Sequence, residues 1–564
     1  MSKGKTCKQC GNTFIIDDET VEFLKRISPA FDNKIFEIPT NEFCKECRHA
    51  RRLCWRNEIN LYKRNCSLCN KEMVSMYSPN KPYKVYCLSC WWSDKWSGLE
   101  FGLEYDPQKS FMDQLEHLLY RVPHAGMTVT NSENCDYCTN TVDSKNCYML
   151  LSARAENSMY GRKLVDCMEV IDSLFTSNSE NCYEIVFSDN CYSSKFVFYC
   201  KNCSDSSFLF DCSDCDDCFM SSNLRHGKYV FRNEQLTKEQ YNNACKKVYD
   251  GSHSKLELLK SEYQKMIRNS VHKENRNISC ENCTGNYLTN CKSCKECFET
   301  AGAESSYRVY DSIGAPSSNQ IDCDLVPGSE FNYESTSSYP LFNSAFCILD
   351  YGCHDSYYSI NCQNGCSKLF GCVGLKHHEY CILNKKYSKD AYEKRVAEIV
   401  ESMIRRKEWG QFMDPRIAFY GYNETISNDF WPMKKSGALK AGYKWEDMDA
   451  SLKFDGDYYV PKDNIEAYKN SNEREKILTG VLRCDVSGKP YKIMPQELAF
   501  YLKNNIPIPS VGFFERHKAR LKMRNPRKLF DRKCDMCKKE MKTTYAPDRP
   551  ERVYCEECYQ KAVI

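Results

Sequence analysis

Twelve of the 38 cysteines form six Cys-x-x-Cys pairs, grouped in three sets of four. They are Cys7, Cys10, Cys44 and Cys47; Cys66, Cys69, Cys87 and Cys90; and Cys534, Cys537, Cys555 and Cys558. Each pair presents two thiolates from one tight turn, and two facing turns close a tetrahedral site for Zn²⁺. With four protein ligands no position remains for water, which is the structural rather than the catalytic type of site. Units this short bury little core, so the metal supplies folding energy. Three structural Zn²⁺ ions are expected.

The elements that position these thiolates occur twice. Asn65-Cys66-Ser67-Leu68-Cys69-Asn70-Lys71-Glu72-Met73 matches Lys533-Cys534-Asp535-Met536-Cys537-Lys538-Lys539-Glu540-Met541 without a gap, and Arg48-His49 and Arg52-Leu53 match Arg516-His517 and Arg520-Leu521. Further upstream Cys7 and Gly11 correspond to Cys484 and Gly488, but Ser487, Gly512 and Glu515 stand where Cys10, Cys44 and Cys47 stood. One thiolate cannot hold a structural zinc, so the fourth ribbon is expected to keep its shape without metal.

The middle is also duplicated. Residues 223–241 and 374–392 align in one register through Leu, Arg/Lys, His, Tyr, Asn, Thr/Ser, Lys and Tyr. Thr237 and Ser388 are N-cap candidates, followed by the apolar stripes Leu256, Leu258, Leu259, Tyr263, Met266 and Val396, Ile399, Val400, Met403, Ile404. Before each helix, apolar residues recur 11 or 12 apart: Val186, Val197, Leu209, Met220 and Phe346, Tyr358, Phe370, Ile382. Asn-Cys or Asp-Cys corners separate them, as at Asn190-Cys191, Asn202-Cys203 and Asp214-Cys215. The pattern predicts a β-solenoid with two short strands per coil, a meandering antiparallel sheet being the alternative. Cys212, Cys215 and Cys218, and Cys291, Cys294 and Cys297 near Cys280 and Cys283, are expected to form a structural thiol ladder; extra zinc and an iron–sulfur cluster are the alternatives.

The net charge of +3 hides an asymmetry: residues 516–542 carry 12 Lys/Arg against three acids, whereas residues 131–220 hold 15 Asp/Glu and 6 Lys/Arg. Basic residues beside a ribbon can neutralise phosphates. The candidate nucleic-acid contacts are Arg48, Arg51, Arg52, Arg56, Lys63, Arg64, Arg516, Lys518, Arg520, Lys522, Arg524, Arg527 and Lys528, with Trp55 and Tyr62 placed to stack on bases. The competing expectation is that these basic ends pair with the acidic middle, leaving a protein-only scaffold or a self-assembling protein. No phosphate-binding glycine loop, nucleophile elbow or His-Glu-x-x-His motif occurs, so an enzyme is not expected. His226 and His377 at equivalent repeat ends read as structural.

The stretch Arg48-His49-Ala50-Arg51-Arg52, a ribbon ending Val85-Tyr86-Cys87, the Asn-Cys-Tyr repeats, Phe419-Tyr420-Gly421-Tyr422-Asn423-Glu424-Thr425 and the Cys534–Cys558 ribbon resemble a family of cysteine-rich zinc-ribbon proteins of small-genome candidate-phyla bacteria. The resemblance covers nearly the whole chain and implies zinc and a cytoplasmic bacterial setting. It implies no activity, and the residues at 487, 512 and 515 depart from the family's fuller C-terminal ribbon pair.

The expected class is therefore multidomain α+β, rich in β-structure, cytoplasmic and without a membrane span. Two zinc ribbons (1–97) and a connecting helix (98–130) precede repeat copy 1 (131–270) and copy 2 (271–412). An extended aromatic and basic strap (413–482), the degenerate ribbon without metal (483–533) and a zinc ribbon (534–564) follow.

Overall fold

A computed structural model of the chain describes residues 3–310, 316–325, 328–336, 340–447 and 454–563. The fold is α+β and rich in β-structure, with cysteine clusters near both ends and long parallel sheets between them. No helix among the described residues is long and apolar enough to cross a membrane.

Between Val129 and Gln235 eleven strands form one sheet in strict chain order. From Arg162 onward its registers advance by a constant step: Tyr183 lies beside Lys195, Lys195 beside Ser207, Ser207 beside Phe219 and Phe219 beside Phe231. Nearer its start Val142 lies beside Ala153 and Leu151 beside Arg162, one residue short of that step. These pairings are parallel, so the chain returns to the same side each time, and the antiparallel meander is excluded. A second, eight-stranded sheet between Ala303 and Lys386 repeats the plan. There Phe342 pairs with His354, but His354 pairs with Ser367, one residue further on than the usual step. The extra residue moves the register, so Tyr357 rather than Tyr358 stands beside Phe370.

The two-strands-per-coil expectation needs correction, because the chain bends after every third residue. Asn178, Asn181, Glu184, Phe187, Asn190, Ser193, Phe196 and Tyr199 all have φ between 47° and 60°. Each winding therefore has four short sides, and isolated bridges such as Glu180–Tyr192 and Asp189–Lys201 join the sides between the main ladders. Left-handed corners explain the Asn-Cys and Asp-Cys pairs, since Asn and Asp tolerate this conformation better than other side chains with a Cβ. The corner amides also ladder: Asn190 donates to Asn202 and Asn202 to Asp214, both at 2.8 Å.

Every third side chain points into the column, where space is narrow. Cys191, Ser194, Val197, Cys200, Cys203, Ser206 and Leu209 fill successive inward positions and are buried. Cysteine suits this place because it is small and its thiol can still donate: Cys182 Sγ contacts the carbonyls of Glu180 at 3.1 Å and Cys191 at 3.5 Å. Ser194 uses the same pattern, reaching Tyr192 O at 2.9 Å and Cys203 O at 3.3 Å.

Helices cover the outer sides of the columns. Thr237 caps Lys238–Val248 and Ser388 caps Lys389–Arg405, each by accepting from the third helical amide. On His253–Asn269, Leu256, Leu259 and Tyr263 face the first column, with Tyr263 edge-on to Phe208. Phe111, opening Phe111–Arg121, packs against Phe370 of the second column. Two residues of the expected stripes turn outward instead: Leu258 is 72% and Ile404 48% exposed.

The ends are built alike. The hairpin Lys3–Thr6/Thr13–Ile16 and helix Lys45–Leu53 have counterparts in Leu482–Arg483/Pro490–Tyr491 and Phe513–Lys522. The hairpin Tyr62–Asn65/Glu72–Ser75 has its counterpart in Phe530–Lys533/Glu540–Thr543. Each end touches both columns. Val85–Tyr86 pairs with His124–Ala125 at the entrance to the first column, while Arg48 of the same end meets Asp322 of the second. Arg552–Tyr554 pairs with Val271–Lys273 before the second column, while Arg516 meets Asp172 of the first. The two ends thus clasp the columns crosswise. Of the strap, residues 448–453 lie outside the described residues, and the rest carries the helices Ile426–Phe430, Lys435–Lys440 and Ser471–Thr479 rather than one extended run.

Candidate metal centres and the basic helices

The three expected cysteine sets each bring four sulfurs within 4.8 Å of one another. Cys10 and Cys44 sulfurs are 3.7 Å apart, Cys69 and Cys87 3.8 Å, and Cys537 and Cys555 3.7 Å. A tetrahedral ion with metal–sulfur bonds of about 2.3 Å requires sulfur–sulfur edges of about 3.8 Å, so the spacing fits Zn²⁺. The turns are preorganised by backbone amides aimed at sulfur: Leu68 N and Cys87 N lie 3.4 and 3.3 Å from Cys66 Sγ. Burial pushes the Cys66 thiol up, but donation from the amides of Cys69, Cys87 and Leu68 outweighs it and brings it down to about 6. The same balance brings Cys534 to about 6. Among the described residues no other His, Cys, Asp or Glu set converges in this way.

The fourth ribbon keeps its backbone. Cys484 N donates to Lys489 O at 2.9 Å and Gly488 N to Cys484 O at 2.8 Å, as Cys7 N does to Asn12 O and Gly11 N to Cys7 O. Gly512 precedes its helix with φ −66° and ψ 157°, close to the −64° and 163° of Cys44. The ligands differ, and so does the intervening segment, where the hairpin Ala30–Phe31/Lys34–Ile35 has no counterpart among the described residues.

The basic helices face inward. Arg48 lies 2.5 Å from Asp322 and 3.3 Å from Glu334; Arg52 Nε lies 2.6 Å from Asp324. In the matching helix Arg516 reaches Asp172 at 2.8 Å and Glu497 at 3.4 Å, and Arg520 reaches Asp172 at 2.9 Å. His49 sits between them and the strap: Trp431 donates to its Nδ1 at 3.1 Å. The Nε2 of His49 lies 3.2 Å from Asp324 Oδ1 and 3.2 Å from Arg527 Nη1. Burial would push these carboxylates up, but the guanidinium of Arg52 holds Asp324 down at about 2. Glu334 shows the opposite balance, where burial prevails and lifts it to about 7.

These pairs redefine the candidate nucleic-acid contacts. Arg48, Arg52, Arg56, Arg516, Arg520 and Arg527 are buried inside the chain, Arg56 against Glu58 and Arg527 against Glu299. Arg51 covers the Phe43 ring, Arg64 donates to the carbonyls of Ser78 and Tyr83, and Arg524 lies 3.6 Å from the centre of the Phe430 ring. Lys63, Lys518, Lys522 and Lys528 are exposed. Trp55 is wholly buried, edge-on to Phe419, and so presents no face for a base, while Tyr62 is half-buried and donates to Glu424. His226 and His377 both occupy left-handed corners at the surface.

Sequence reasoning did not single out the acid partners. A signal was present: Ile171-Asp172 and Ile321-Asp322 occur at corresponding points of the two columns, each Asp at a left-handed corner with φ 57°.

No family model matches the chain. No curated protein matches it in sequence. Among solved structures, a crystal structure of a Desulfovibrio desulfuricans protein designated an acetyltransferase overlays 50% of this chain and 82% of its own, at 7% identity and a TM-score of 0.10. An overlay that slight carries neither fold nor activity across.

Proposed function

We propose that the chain is a non-enzymatic, zinc-stabilised scaffold protein that binds other proteins through its columns and ribbons. The observation that carries this reading is the inward commitment of the basic helices: their arginines neutralise Asp172, Asp322 and Asp324 of the same molecule. Four-cysteine closure at all three candidate metal sites supports zinc in a structural role. The two columns read as duplicated copies of one solenoid, each closed by a capped helix. The likeness to cysteine-rich zinc-ribbon proteins of candidate-phyla bacteria adds a cytoplasmic setting.

A nucleic-acid-binding reading retains one specific support, the exposed Lys518, Lys522 and Lys528 in and after the second basic helix. Titration with labelled RNA and DNA over a salt series separates the two, since phosphate binding weakens steeply with salt. The scaffold reading expects at most weak binding, gone at physiological salt. Tight binding there, lost in the Lys518→Glu/Lys522→Glu/Lys528→Glu variant, would overturn it.

A further inference from the structure

A cleft of about 750 Å³ opens between helix His253–Asn269, the segment 507–511 and the second basic helix. Its carboxylates are already matched by cations. Lys260 lies 3.7 Å from Glu184 and 3.4 Å from Glu257, Lys518 lies 3.0 Å from Glu515, and Arg549 pairs with Glu551. Arg268 and Lys522 also line the cleft, are exposed, and make no ion pair among the described residues.

Deeper in the wall lies Arg520, only 3% exposed. Its Nη2 is used twice, on Asp172 at 2.9 Å and on Tyr160 O at 3.3 Å. Among the described residues its Nε and Nη1 have no hydrogen-bond partner. A buried charged donor without an acceptor is costly, and such groups ordinarily meet water or a ligand. Leu256, Pro507 and Pro509 add apolar surface to the lining.

We infer that this cleft binds a phosphate-bearing anion of up to nucleotide size. Its volume lies within the few hundred to about 1,000 Å³ usual for small-molecule sites. Arg520 supplies a buried guanidinium in the wall, and Arg268 and Lys522 supply exposed cations that line the same cleft, the kind of charged donor a phosphate accepts. The inference is independent of the scaffold reading, which stands if this one fails.

The test is titration calorimetry of the full-length, zinc-loaded chain with inorganic phosphate, pyrophosphate and adenosine monophosphate at low salt. Saturable binding is expected, weakened by about tenfold or more in Arg268→Glu/Lys522→Glu and unchanged in Lys538→Glu/Lys539→Glu. Tighter binding of the nucleotide than of free phosphate identifies an organic phosphate; equal binding identifies the inorganic ion. Because Arg268 and Lys522 are exposed, their variant keeps the fold, and circular dichroism checks this. No binding of any probe at millimolar concentration, or equal weakening in the control pair, would overturn the inference.

Discussion

Arg516 Nε lies 2.8 Å from Asp172 Oδ2, and the same relation recurs where Arg48 Nη2 lies 2.5 Å from Asp322 Oδ2. In each case a ribbon-borne arginine from one end of the chain reaches a corner aspartate of a column. All four side chains are buried. Removing one member of such a pair leaves an uncompensated charge in a poorly solvated place.

Asp172 serves both Arg516 and Arg520, so Asp172→Ala is expected to lower stability by about 3–5 kcal/mol, measured by urea unfolding. The exposed pair Lys503–Glu169 is the control, and Lys503→Ala should change stability by about 1 kcal/mol or less. Equal small effects would contradict the clasp.

The degenerate ribbon can be given back its metal. Gly512 has an ordinary negative φ, and a Cβ there would meet only Tyr491, at 3.5 Å or more. The variant Ser487→Cys/Gly512→Cys/Glu515→Cys, together with the native Cys484, is therefore expected to bind one more zinc per chain by elemental analysis. An unchanged count would mean that the two ribbon backbones are not equivalent.

Inside the columns, substitution should follow size. Cys191→Ser keeps a small donor where serines already alternate with cysteines, and should cost about 1 kcal/mol. Cys191→Leu overfills the column and should cost about 1–3 kcal/mol by the same unfolding assay. Burial also pushes the Cys191 thiol up to about 12 and that of Cys167 to about 11. Native alkylation near neutral pH should therefore leave both unlabelled until the chain is unfolded.

Burial lowers His49, His124, His272 and His517 alike, and the pair His124 and His272 tests the resulting pH dependence. His124 and His272 occupy equivalent places, each with Nε2 against a carbonyl five residues back, Leu119 O at 2.8 Å and Ile267 O at 2.9 Å. Burial lowers both from 6.5 to about 4. As pH falls below 6.5 the unfolded chain takes up these protons first, so stability is full above that value and declines towards pH 4. Each contributes at most about 1.4 kcal/mol per pH unit in this window. The His124→Phe/His272→Phe variant should show a shallower decline in urea midpoints between pH 6.5 and 4.5; an unchanged slope would contradict the assignment.

The four-cysteine clusters were legible in sequence because Cys-x-x-Cys spacing is a local property: two thiols of one turn are fixed by the turn itself. The step of the columns was legible too, since their apolar residues recur. Their four-sided shape was not, because Phe187, Phe196 and Tyr199 occupy left-handed corners that side-chain type alone would assign to strands. Nor could charge counting separate Arg520 from Lys522: both sit on one helix, and only the distant Asp172 decides that Arg520 is buried while Lys522 is free. The extra residue between His354 and Ser367 escaped notice because an apolar residue, Tyr357 or Tyr358, stood at either register.

The most direct test of the account is native mass spectrometry of the purified chain before and after chelation. The account predicts a mass excess of three zinc ions, lost on chelation together with a shift to the higher charge states of an opened molecule. A chain that carries no metal, or that keeps its compact charge states once the metal is gone, would contradict it.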